Sequence, residues 1–193
     1  MKSVLISIQP KWCELIANGK KTVEVRKTKP KLETPFKVYI YETKGKTEIP
    51  TFIDEEGHAI YQGRGQVIGE FICDIVVEFE NSMYECEFQE TSVLSCVDFE
   101  ELALYLGKKV YGYGWHISNL VIYDKPRDLS EFVVEGDCLN GDCKKCKWFD
   151  GGNNYNVEAD CLLPYDFNFN KTVKPLFRPP QSWCYVESEV DTE

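Results

Sequence analysis

Residues 137–176 are rich in Cys, Asn, Asp and Gly and show no helical or strand period, so these roughly 40 residues supply no amphipathic face to a core. The core must then come from residues 1–136 and 177–193, with the stretch between them inserted into a single domain. With 193 residues in all and 43% hydrophobic content, the remainder suffices for one compact core. Collagen-like and wholly disordered chains are excluded.

Within the insertion, Cys138, Cys143, Cys146 and Cys161 offer four soft ligands, and the two-residue gap between Cys143 and Cys146 lets both thiolates reach one ion. Four thiolates complete a tetrahedral zinc site and leave no open position, so the expected Zn2+ is structural. Gly136, Gly141, Gly151 and Gly152 permit the turns such a loop needs. An iron–sulfur cluster or unmetallated thiols are the other readings. Cys13, Cys73, Cys86, Cys96 and Cys184 are scattered and read as small, partly buried groups. The odd total of nine cysteines argues against a disulfide framework and for a reducing, cytoplasmic setting. No apolar run approaches the roughly 20 residues of a membrane helix, and no secretory signal is evident at the N-terminus.

The rest alternates short strands with few helices. Val4–Ile8 reads as a buried strand, and Pro10 opens a helix to about Asn18, with Trp12, Leu15 and Ile16 at helical spacing and Gly19 as its stop. Thr22–Arg26 alternates in period two, which puts Val23 and Val25 on one face and Thr22, Glu24 and Arg26 on the other. Further strands are expected at 36–41, 66–79 with a kink at Gly69, 115–123 and 182–187, and a long hairpin excursion over 43–65. Asp98 caps a helix to Leu106 with Glu101 as its partner, Leu129–Phe132 makes a helical turn, and the acidic stretch 78–90 reads as loop. The expected fold is α+β, mainly β: a small barrel with flanking helices and the Cys-rich insertion.

Charge is regional. The formal net charge is -10, yet residues 1–50 carry +6, residues 51–105 carry -12 and residues 106–193 carry -4. A nonspecific phosphate-binding surface over the whole molecule is excluded, while a local basic site in the first 50 residues is not. That stretch holds Gly19-Lys-Lys-Thr-Val-Glu-Val-Arg26. Lys20 and Lys21 sit on a turn beside a strand face bearing Glu24 and Arg26, a grouping able to meet a phosphate or carbonyl and a base edge. An ordinary exposed strand with a surface ion pair is the competing reading.

The run from Leu5 to Arg26 resembles the opening of ASCH domains, members of the PUA-like superfamily, and Val67–Asp74, Gly114–Ser118 and Arg178–Trp183 resemble their later strands. The resemblance implies a small β-barrel whose cleft faces the Gly-x-Lys-Thr turn, and recognition of RNA or a nucleotide derivative. In one bacterial branch that hydrolyses acetylated cytidine, a threonine nucleophile stands two residues after the turn threonine, aided by the turn lysine and a distant glutamate. Here Glu24 occupies the nucleophile position and Lys21 is kept, while either Glu70 or Asp74 corresponds to the distant acid. A carboxylate cannot form the same acyl intermediate, so that mechanism does not transfer.

Three functions follow. The first is binding of RNA or a modified nucleotide by Lys20, Lys21, Thr22, Glu24 and Arg26, with Trp115, His116 and Arg178 completing the wall. The second is an amidohydrolase acting on an acylated nucleoside, with Glu24 activating water and Lys21 polarising a carbonyl. The third is an interaction module whose acidic 51–105 surface docks a basic partner. The Gly–aromatic run Tyr111–Trp115 reads either as a flexible wall or as a tight turn presenting core aromatics.

Overall fold

The computed structural model describes residues 2–46, 52–53, 57–60, 62–135 and 173–187. The four insertion cysteines, Cys138, Cys143, Cys146 and Cys161, lie outside the described residues. In chain order the elements are β1 (Lys2–Ile8), α1 (Pro10–Ala17), β2 (Val23–Arg26), β3 (Phe36–Glu42), β4 (Phe52–Ile53), β5 (Ala59–Ile60), β6 (Val67–Cys73) and β7 (Val76–Glu80). There follow α2 (Cys86–Ser95), α3 (Phe99–Leu106), β8 (Tyr111–His116), β9 (Ser118–Arg127), a 3-10 turn at Leu129–Glu131, β10 (Val133–Glu135), β11 (Val173–Pro175) and β12 (Trp183–Glu187). No helix among the described residues is long and apolar enough to cross a membrane.

Seven strands form one sheet in the order β11-β10-β12-β1-β3-β6-β9, three form a second in the order β2-β8-β7, and β4 and β5 make a small hairpin. Only β1 and β3 run parallel in the large sheet, joined by the crossover through α1 and β2. Among the described residues no ladder joins β9 to β11, so the expected closed barrel is corrected to two stacked sheets. The chain turns out of the large sheet at Asp74-Ile75, between β6 and β7, and returns at Ile117, between β8 and β9. Those two corners lift β7 and β8 into the second sheet and split the single strands expected at 66–79 and 115–123. Gly69 is no kink of its own but a close approach: a Cβ there would stand 2.4 Å from the Val121 carbonyl oxygen of β9.

Three apolar clusters hold the layers. Val4, Ile6, Ile8, Val38, Ile40, Phe71 and Trp115 fill the space between the sheets, with Cys13 and Ile16 of α1 joining them. Leu5, Tyr39, Val67 and Val186 pack on the outer face of the large sheet beneath Leu129 and Phe132. Val25, Phe79, Phe88, Leu102 and Leu106 join the small sheet to α2 and α3. Each fully buried side chain of this size contributes about 1.5–3 kcal/mol relative to exposure. The Tyr111–Trp115 run is neither a loop wall nor a turn but strand β8. Its Gly112 and Gly114 make room for Phe79 and Val23, which would stand 2.5 and 3.0 Å from an added Cβ.

The second half of the acidic stretch 78–90 is corrected from loop to helix, since α2 begins at Cys86. Its buried face is Phe88, Thr91, Ser92 and Ser95, a helical spacing built mostly from small polar residues and therefore invisible to an apolar pattern. The acids it carries, Glu87 and Glu90, face solvent with Glu85 and Glu100. The helix at 99–106 forms as expected, the Asp98 side chain accepting from the Glu101 amide at 2.8 Å. The last strand, β12, lies inside the sheet between β10 and β1 instead of closing it. Val173–Pro175, expected within the insertion, pairs with β10 and so belongs to the sheet.

Candidate functional site

Gly19 adopts φ 68°, a conformation that costs an L side chain strain, and turns the chain back on α1 so that the Lys20 and Lys21 amides donate to the Leu15 carbonyl. The Thr22 amide then donates to Leu94 of α2 and its carbonyl accepts from Ile117. These bonds set the register of β2, whose four residues are all buried. As the alternation predicts, Val25 packs toward α2 and α3, while Glu24 and Arg26 face the large sheet.

Lys21, Glu24 and Arg26 are 3%, 6% and 7% exposed and form one row. Arg26 Nη2 stands 2.9 Å from Glu24 Oε1, and Lys21 Nζ stands 3.3 Å from Glu24 Oε2. The ammonium also donates to the Ser95 carbonyl at 2.8 Å, at the negative end of α2, and lies 5.1 Å from the Trp12 ring centroid. Arg26 Nη2 donates to the Ser7 carbonyl at 2.7 Å, and Nη1 to Ser182 Oγ at 3.4 Å. The helix missed by sequence reasoning thus supplies the carbonyl that holds the turn lysine.

This row lines a cleft of about 960 Å³ between α1, α3, β2 and the segment 179–182. Trp12 and Tyr105 stand on its walls, with Lys27 and Lys109 also lining it. Burial pushes the Tyr105 phenol above its ordinary value, while the neighbouring Arg26 pulls it down. Lys27 Nζ lies 4.9 Å from the Tyr105 ring centroid. Trp12 carried a sequence signal only as an apolar helix position, and Tyr105, Lys27 and Lys109 carried none that tied them to the turn.

The other expected site residues lie elsewhere. Lys20 points to solvent and Thr22 is engaged through its backbone, and neither lines the cleft. Trp115 is fully buried between Phe36 and Trp183, whose ring centroids are 5.8 and 6.0 Å away. Arg178 is exposed and outside the lining, although its neighbours Pro179 to Ser182 form part of it. His116 follows Trp115 and therefore points to the opposite sheet face, where its Nδ1 meets Asp74 Oδ1 at 2.7 Å.

Neither Glu70 nor Asp74 lines the cleft. Burial pushes the Glu70 carboxyl up, but hydrogen bonds from Tyr123 (2.6 Å) and Lys37 (3.0 Å) outweigh it and hold the group below its ordinary value. The His116 hydrogen bond holds Asp74 below its ordinary value against a smaller opposing desolvation. A depressed folded-state value means that the stabilisation is complete above the unfolded Asp value of about 3.9 and is lost as pH falls through the folded one. His116→Ala should return the Asp74 carboxyl toward about 3.9 in a side-chain NMR titration; an Asp74 resonance that titrates as before would contradict the assignment.

Burial pushes the Cys73 thiol up to about 12 and the Cys184 thiol up to about 11, and raises Cys13 as well, which suits packed groups and not nucleophiles. Among the described residues no three His, Cys, Asp or Glu side chains converge as a metal site.

Residues 6–127 match the family model of the ASCH domain. The fold is similar to the crystal structure of ASCH from Zymomonas mobilis, with a TM-score of 0.56 and 16% identity over 97% of this chain and 89% of that one. A serine-to-alanine mutant of the Zymomonas mobilis protein is similar at a TM-score of 0.56 and 14% identity, over 96% and 89% of the two chains. A tyrosine-to-phenylalanine mutant gives 0.50 and 17% over 67% and 77%. At these identities the likeness speaks for the fold. No curated protein matches the chain at a significant level.

Proposed function

This chain belongs to the ASCH domain family, its residues 6–127 matching the family model, and on that premise we propose that the cleft binds a segment of RNA or a modified nucleotide. The observation that carries the reading is the buried Lys21–Glu24–Arg26 row set in a cleft walled by Trp12 and Tyr105. Aromatic walls accept a base by stacking, and a carboxylate with lone pairs to spare accepts from a base edge. Lys27 and Lys109 attract the backbone. With a net charge of -10 on the whole chain, contact is confined to this cleft.

The same row favours binding over the amidohydrolase reading. Both Glu24 oxygens already accept from cations, and Lys21 Nζ is committed to Glu24 and the Ser95 carbonyl. A water awaiting activation, or a carbonyl awaiting polarisation, would have to displace one of these bonds.

Fluorescence anisotropy of labelled single-stranded RNA tests the proposal. The double variant Lys27→Ala, Lys109→Ala leaves the buried row intact and should weaken binding about tenfold at low salt. Its salt dependence should become shallower by about 0.7 for each phosphate that is no longer neutralised. Flat titrations across RNA, DNA, nucleotides and nucleosides would overturn the reading.

A further inference from the structure

The buried row has one more positive charge than negative. Lys21 and Arg26 share Glu24, and among the described residues no second carboxylate pairs with either. The other buried carboxylate, Glu42, is taken by Arg64, whose amide donates to Oε2 at 2.7 Å and whose Nη1 stands 3.4 Å from it. An uncompensated charge that is more than nine-tenths buried is costly unless something answers it.

A second observation concerns the same guanidinium. Arg26 Nη1 and Nη2 are hydrogen-bonded, but its buried Nε has no partner. Guanidinium nitrogens only donate, so whatever completes this side chain must be an acceptor.

A third lies on the facing wall. Helix α1 begins at Pro10, and its N-cap residue Gln9 has an extended backbone but makes no side-chain capping bond. Gln9 is exposed and lines the cleft that Arg26 lines. The positive end of α1 is therefore open to the same space.

We propose that the cleft holds a subsite for one oxyanion, the phosphate group of its ligand, between Arg26 and the N-terminus of α1. The inference rests on the reading of the cleft as a nucleotide or RNA site and specifies which part of the ligand goes deepest. A phosphodiester or phosphomonoester brings acceptors without donors and a charge opposite to the surplus. A neutral base edge, which mixes donors with acceptors, answers neither the charge nor the Nε donor as well. The phosphate anchors the ligand, the base is left to Trp12 and Tyr105, and the rim lysines act at longer range.

Isothermal titration with inorganic phosphate, uridine, uridine 5′-monophosphate and a short oligouridylate lacking terminal phosphates provides the test. Phosphate should compete with the monophosphate, and the monophosphate should bind at least about tenfold tighter than uridine, the scale of a charge-assisted hydrogen bond. Gln9→Asp places a carboxylate at the open cap without touching the buried row. It should leave the Tm unchanged or raised, since Asp caps helices well, and weaken phosphate and monophosphate about tenfold while sparing uridine. Arg26→Lys, which keeps the charge and loses Nε, should do the same; if it does not fold, Gln9→Asp still decides.

Tight binding of the oligouridylate would assign the site to a backbone diester, and tight binding of the monophosphate alone to a terminal phosphate. Equal affinity for uridine and its monophosphate would overturn the subsite and leave the nucleotide-binding reading standing. Binding of inorganic phosphate with no nucleotide or RNA bound would uphold the subsite and overturn that reading. Phosphate binding abolished by Lys27→Ala, Lys109→Ala but indifferent to Gln9→Asp would mean rim attraction only, against the proposal.

Discussion

Glu24→Gln is expected to destabilise the folded chain by about 3–5 kcal/mol, the scale of leaving buried charges without their partner. The substitution preserves shape but faces Lys21 and Arg26 with an amide, at sites only 3% and 7% exposed. Both ion pairs, at 3.3 and 2.9 Å, are lost together because one carboxylate serves both cations. Lys21→Met should be much milder. It removes the surplus charge, leaves Glu24 and Arg26 as a neutral pair, and puts an apolar chain against Trp12. Urea unfolding of the two variants gives the comparison. A Glu24→Gln cost below about 1 kcal/mol would mean that the row is solvated like a surface pair.

Trp115→Ala should cost about 3–5 kcal/mol, because it empties the centre of the cluster between the two sheets. The ring is fully buried, with Phe36 at 5.8 Å and Trp183 at 6.0 Å. Trp115→Phe separates packing from recognition. The indole Nε1 has no hydrogen-bond partner, so removing it sacrifices no bond and relieves an unsatisfied donor. This variant should cost about 1 kcal/mol or slightly more and leave RNA affinity unchanged. A loss of affinity greater than the loss of stability would restore Trp115 to the binding wall. Thermal unfolding and anisotropy on the same samples supply both readings.

Much of the local structure was legible. Pro10 and Gly19 bracket α1, Asp98 and Gly107 bracket α3, and the alternation at 22–26 assigns the two faces of β2. Each signal is local: a fixed φ, a capping oxygen, a positive φ, a period of two. Helix α2 escaped because its buried face is one Phe with Thr91, Ser92 and Ser95, which suit close packing against the small sheet but register as polar. The corners at Asp74-Ile75 and Ile117 escaped because a strand leaving one sheet for another keeps its alternation, and only its pairing partners change. The cleft was half legible. The turn lysine, Glu24 and Arg26 were found by spacing, whereas Tyr105 and Lys109 come from later in the chain with nothing nearby to connect them to the turn.

The amino-acid order alone determined that Glu24 and Arg26 share a polar strand face beside a glycine-stopped helix, because side-chain direction in a strand follows from parity. It equally determined that the positive charge gathers in the first 50 residues of a chain whose net charge is -10. Only the tertiary structure decided that this face is buried and not a solvated surface pair. That outcome depends on the Ser95 carbonyl, 74 positions from Lys21, and on Ser182, 156 positions from Arg26. A local pattern records which side of a strand is polar, but burial is set by what the rest of the chain lays against that side.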